Sequence, residues 1–91
     1  MNSVDISNFI IERLAMLKQI PAETIEANSH VFHVGLDSSG ALELTCYIED
    51  YLGISLDASI IWEYPVIDDL SEHLASNYAP AEPWLSLVFF H

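Results

Sequence analysis

Ninety-one residues, 52% of them hydrophobic, suffice for one small core and exclude a disordered chain. Fourteen acidic residues against two basic ones give a formal net charge of −12, which repels phosphate backbones and anionic headgroups and argues against nucleic-acid or membrane-surface binding. The single cysteine, Cys46, excludes an internal disulfide framework and a cysteine-based zinc cluster.

The opening run MNSVDISNF has no basic region followed by an apolar stretch, and no apolar run approaches the roughly 18 residues of a membrane span. The expectation is a cytoplasmic monomer whose partner is a protein with a positive patch, attracted by steering that weakens with salt.

The first periodic segment covers residues 4–19, where Ile6, Phe9, Ile10, Leu14 and Leu17 fall at helical steps of three and four. Ser3 is the expected N-cap, Asp5 lies in the first turn, and Pro21 stops the helix. Arg13 and Lys18, the two cations, are both on it. Residues 21–37 keep neither helical nor strand periodicity and read as a long connection, pinned to the core by Ile25, Val31 and Phe32.

A second helix is expected from Ser38 or Ser39 to Leu52, burying Ala41, Leu42, Leu44, Ile48 and Leu52, with Glu43, Glu49 and Asp50 pointing elsewhere. Gly53 then takes the position favoured after a helix end. Asp57 reads as the N-cap of a short helix, ASIIWEY, which Pro65 stops. The last helix covers residues 67–77, with Ile67, Leu70 and Leu74 as its stripe and Asp68 and Asp69 in its first turn. No strand-like alternation occurs. The expected fold is all-α: a four-helix bundle of three longer helices and one short one, with a long loop between the first two. It occupies residues 1–78, and a proline-containing tail, 79–91, follows. The tail's WLSLVFF end folds back on the bundle, is a remnant at a domain junction, docks a partner or favours self-association.

The stretch HVGLDSSGALELTC, residues 33–46, puts Ser38 at a helix mouth directly after Asp37. Three chemistries compete for it. Capping of orphan N–H groups needs only one such residue. A hydrolase elbow, G-x-S-x-G, needs a glycine two places before the serine, where Leu36 stands; Gly35 is one place too early. Covalent modification would place a phosphate ester where helix N–H groups and the dipole favour an anion. His30 and His33 with Asp37 offer too few fixed ligands for a metal site.

The run GLDSSGALEL resembles the G-x-D-S motif of acyl carrier proteins, and the likeness extends over residues 6–76. Upstream, VFHVGLDS resembles the family's approach to its attachment site. Downstream, ELTCYIEDYLGISLDASIIWEYPVIDDLSEHLA resembles the polyketide-synthase branch. The resemblance implies that Ser38, approached by Gly35, Leu36 and Asp37, receives a 4′-phosphopantetheine arm from coenzyme A through a phosphopantetheinyl transferase. It implies further partners: an acyltransferase, a ketosynthase or an acyl-activating ligase. Ser39, Glu43, Glu49, Asp50 and Trp62 are the expected partner-contact residues. A peptidyl carrier and a non-carrier acidic interaction module are the alternatives.

The chain departs from the family pattern in places. Ser39 stands where Leu or Met is usual, and Gly40 follows it, a residue disfavoured in helices by about 1 kcal/mol relative to alanine. His33 replaces a position often acidic. Val66 stands where a threonine often caps the last helix, so a less firm start is expected there. Cys46 is expected in the core or at its boundary, and Trp62 and Tyr64 are expected to pack the short helix against the second and last helices.

Overall fold

The structure, a computed structural model, describes residues 2–77. The tail 79–91 lies outside the described residues. In chain order the elements are α1 (Ser3–Lys18), a 3₁₀ turn (Ala22–Thr24), α2 (Val31–Val34), α3 (Ser38–Leu52), α4 (Ile60–Glu63) and α5 (Ile67–Asn77). The fold is all-helical, as the periodicity implies. The long connection contains the 3₁₀ turn and α2, each too short to leave a periodic signal.

Asn2, not Ser3, caps α1: its Oδ1 accepts the Asp5 N–H at 3.0 Å. Both residue types can cap, and the extended backbone at Asn2 (φ −109°, ψ 173°) decides between them. The other end closes with Gln19 in the left-handed region, φ 56°. Its N–H reaches the Met16 carbonyl at 3.3 Å and that of Ile20 reaches Ala15 at 3.1 Å, so two orphan carbonyls are satisfied before Pro21.

The core gathers Ile6, Ile10 and Leu14 of α1, Ala41, Leu44, Ile48 and Leu52 of α3, Ile60 and Ile61 of α4, and Ile67, Leu70 and Leu74 of α5. Phe9 stacks on Tyr51 at 4.0 Å and 4°, while the Lys18 side chain lies against Gly35 just ahead of α3. Helices α1 and α3 are therefore antiparallel. Leu42 corrects the expected buried set, because it is 54% exposed. Thr45 is buried instead and donates its hydroxyl to the Ala41 carbonyl at 2.8 Å. Residues 41, 44, 45, 48 and 52 form one stripe, and Leu42 falls beside it.

The long loop is pinned by Ile25, Val31 and Leu36, all buried, with Phe32 half-buried. It is also hydrogen-bonded to the start of α5. The Val31 N–H donates to the Pro65 carbonyl at 2.8 Å, Ile67 to Ser29 at 3.0 Å and Asp68 to Ala27 at 2.8 Å. These bonds correct the expectation of a loose start at Val66. Loop carbonyls satisfy orphan N–H groups of α5 that a capping side chain would otherwise take.

The short helix is shorter than expected. α4 begins after Ser59, and Asp57 forms a turn ahead of it, accepting the Ser59 N–H on Oδ1 at 3.0 Å.

Candidate functional site

The segment that delivers Ser38 is built in three steps. α2 ends at Gly35, whose φ of +118° lies in the region that favours glycine. Leu36 then turns into the core at 5% exposure, its N–H donating to the Val31 carbonyl at 3.2 Å. Asp37 adopts the extended backbone of an N-cap, and its Oδ1 accepts the Gly40 N–H at 2.7 Å. The Asp37 carbonyl accepts the Ala41 N–H at 2.8 Å, which starts the helix ladder.

Ser38 is thereby the first residue of α3, exposed and preceded by a buried anchor. Neither its N–H nor that of Ser39 has an intrahelical acceptor, so both are donors at the positive end of the helix dipole. An exposed hydroxyl beside free N–H groups suits a serine that carries a phosphodiester. Among the described histidines, His30 Nδ1 accepts the Phe32 N–H at 3.3 Å and its ring stacks on His33 at 4.2 Å, while His73 stacks on Tyr64 at 4.2 Å.

Of the expected partner-contact residues, Ser39, Glu43, Asp50 and Trp62 are exposed. Trp62 is 48% exposed, and its ring lies 5.4 Å from that of Phe32. It packs on α2 within the long connection, whereas Tyr64 packs on α5, through His73. Glu49 is different: it is half-buried, and its Oε2 accepts the Leu56 N–H at 2.8 Å, tying the α3–α4 loop to α3. Asp50 lines a groove of about 260 Å³ with Phe9, Arg13, Tyr47 and Tyr51. There the Arg13 guanidinium lies over the Phe9 ring at 5.1 Å and the Tyr47 ring at 5.2 Å.

Two exposed residues on α3 were not expected there. Leu42, one turn after Ser38, is an exposed apolar residue, and Cys46 is exposed where the sequence implies packing. The sequence signal for Leu42 is its place off the line of Ala41, Leu44 and Ile48. No short-range signal announces the Glu49 bond, which spans seven residues.

The helical bundle exposes Ser38 at the first position of α3, and similarity to known proteins gives its class, a carrier domain. The family described as a phosphopantetheine attachment site matches residues 8–74, and the chain belongs to it. Family membership carries with it a covalently attached 4′-phosphopantetheine. The chain is 35% identical over 71 residues to polyketide synthase PksL of Bacillus subtilis, covering 78% of the chain and 2% of that protein. It is 31% identical over 74 residues to polyketide synthase PksM of the same organism, covering 81% and 2%. The chain thus spans a small fraction of the length of these relatives. A solved structure of a free-standing peptidyl carrier protein from an Acinetobacter baumannii secondary metabolic pathway superimposes with a TM-score of 0.78 at 31% identity, covering 82% of this chain and 94% of that one. The chain is a phosphopantetheine carrier domain of the polyketide or peptidyl type. No helix among the described residues is long and apolar enough to cross a membrane.

Proposed function

We propose that Ser38 is the attachment point of the arm and that the domain carries acyl intermediates of polyketide assembly as thioesters on the arm's terminal thiol. The observation that carries this reading is the exposed Ser38 hydroxyl at the first position of α3, fixed by Asp37 and the buried Leu36. The chain's own residues do no chemistry on the cargo. Asp37 and Leu36 orient the serine, the α3 N–H groups stabilise the phosphodiester charge, and the acidic exterior guides basic partner surfaces toward it.

The carrier domain occupies residues 1–78, with 79–91 as a tail, and works in the cytoplasm as a monomer. Its partners are a phosphopantetheinyl transferase, followed by an acyltransferase, a ketosynthase or an acyl-activating ligase. Ser39, Glu43 and Asp50, joined by Leu42 and Trp62, form the surface they meet. The polyketide synthases among its relatives support acyl cargo. The peptidyl carrier whose fold it shares supports a second reading, in which an aminoacyl group is loaded.

Incubation with coenzyme A, Mg²⁺ and a broad-specificity transferase, followed by intact-mass measurement, tests the assignment. One phosphopantetheine is expected on the wild-type chain and none on Ser38→Ala. An unshifted wild-type mass beside a modified control carrier would sink it and favour the non-carrier interaction module. Loading the modified protein with acyl against aminoacyl donors decides the cargo.

A further inference from the structure

Gly40 stands in the first turn of α3, where alanine would suit a helix better. Its φ is not in the left-handed region, where the described glycines are Gly35 and Gly53, so backbone freedom does not account for it. Space does. A Cβ at position 40 would stand 2.6 Å from Leu36 Cδ1, 3.4 Å from Leu36 Cγ and 3.1 Å from Asp37 Oδ1. Leu36 is 5% exposed and belongs to the core, so moving its terminal methyl disturbs close-packed neighbours. Asp37 Oδ1 is committed to the Gly40 N–H at 2.7 Å.

The buried pair Leu36 and Ala41 brackets the cap in the manner of a hydrophobic staple, and here the leucine is seated across bare glycine backbone. Ser38 and Ser39 lie between the residues that this contact joins. Relief of a clash at position 40 by backbone movement would therefore open the turn that carries the serine.

We infer that Gly40 is a positioning residue for modification of Ser38: its missing side chain lets Leu36 and Asp37 close on the first turn of α3 and so sets where the hydroxyl stands. The inference rests on Ser38 being the attachment point. In that reaction the Ser38 oxygen bonds to the pantetheine-side phosphorus of coenzyme A, the pyrophosphate P–O bond breaks, the nucleotide departs as the leaving group, and the serine proton is lost to the transferase or solvent. Such in-line displacement tolerates little misplacement of the nucleophile.

The test compares wild type, Gly40→Ala, Leu36→Val and the double variant, using a phosphopantetheinyl transferase with coenzyme A and Mg²⁺. Holo formation is followed by intact mass, and folding by circular dichroism. Gly40→Ala is expected to lower kcat/KM by about 10-fold or more and to lower the melting temperature, although helix propensity alone would raise it. Leu36→Val removes the crowded Cδ1. In that background the same glycine substitution is expected to cost less than about threefold, the coupling that shared contacts produce. A Gly40→Ala protein with a higher melting temperature and an unchanged rate overturns the inference, as does an equal fold-loss in both backgrounds. A wild-type chain that takes up no arm at Ser38 overturns the attachment assignment together with it. Normal wild-type modification with unrelieved loss overturns the role of Gly40 alone.

Discussion

Glu49 Oε2 accepts the N–H of Leu56 at 2.8 Å, so a residue of α3 secures the loop that leaves its own helix. The bond removes Glu49 from the freely presented acids and makes it an internal strap. Replacement by alanine leaves the half-buried Leu56 N–H without its charged acceptor and is expected to cost about 1.5–3 kcal/mol in urea unfolding. Faster amide exchange at Leu56 should accompany it. Glu43→Lys and Asp50→Lys, at exposed positions, should instead leave stability within about 0.5 kcal/mol and slow association with the transferase. If Glu49→Ala unfolds like wild type, the strap is not a stabilising contact.

Asp37 uses its side chain on the Gly40 N–H and its carbonyl on the Ala41 N–H. Asp37→Ala should lose about 1 kcal/mol, the usual worth of an N-cap. Asp37→Asn, whose amide oxygen can accept the same bond, should retain most of it. Equal melting temperatures for wild type and Asp37→Ala would mean that the cap contributes nothing here.

Gly35 and Gly53 both have positive φ, +118° and +69°, but in different surroundings. A Cβ at Gly35 would stand 3.1 Å from Lys18 Cε, while one at Gly53 meets nothing within 4 Å. Gly53 also lies in the ordinary left-handed region, which asparagine tolerates. Gly35→Ala should therefore cost about 1–3 kcal/mol and Gly53→Asn less than about 1 kcal/mol. The order, measured by chemical denaturation, is the prediction, and its reversal would refute it.

The Asp57 carboxyl is held below its ordinary value of 3.8, first by the Ser59 N–H and then by the Ser59 hydroxyl, against a small opposing effect of burial. A depressed folded-state pKa means that the charged form stabilises the fold. The contribution is complete above the unfolded value and disappears as pH falls through the lower folded one. Wild type should therefore lose melting temperature more steeply than Asp57→Asn on acidification through and below the ordinary carboxylate range. Parallel curves would show that the turn at Asp57 has no linkage to folding.

Much of the fold was legible because its signals are local. The apolar stripe of α5 marks its span, and Asp37 and Gly53 mark the two ends of α3. Each of these depends on residues within a turn or two of one another. The position of Ser38 at a helix mouth follows from the same short-range rules, and the family resemblance supplies the chemistry proposed for it.

Local pattern could not say where satisfied groups find distant partners. The carbonyls of Ala27 and Ser29 bond the start of α5 only because the loop crosses to it, and a sequence that lacks a threonine at position 66 cannot announce this substitute. Leu42 lies off the line of Ala41, Leu44 and Ile48, and the packed α3 leaves it 54% exposed. Gly40 reads as a weak point in a helix until Leu36 is seen across it. Periodicity determines which helices form and roughly which faces they bury, since those depend on dihedral preference and spacing. Tertiary packing decides the rest, because unsatisfied donors, steric room and the last degrees of helix rotation are settled between elements and not within them.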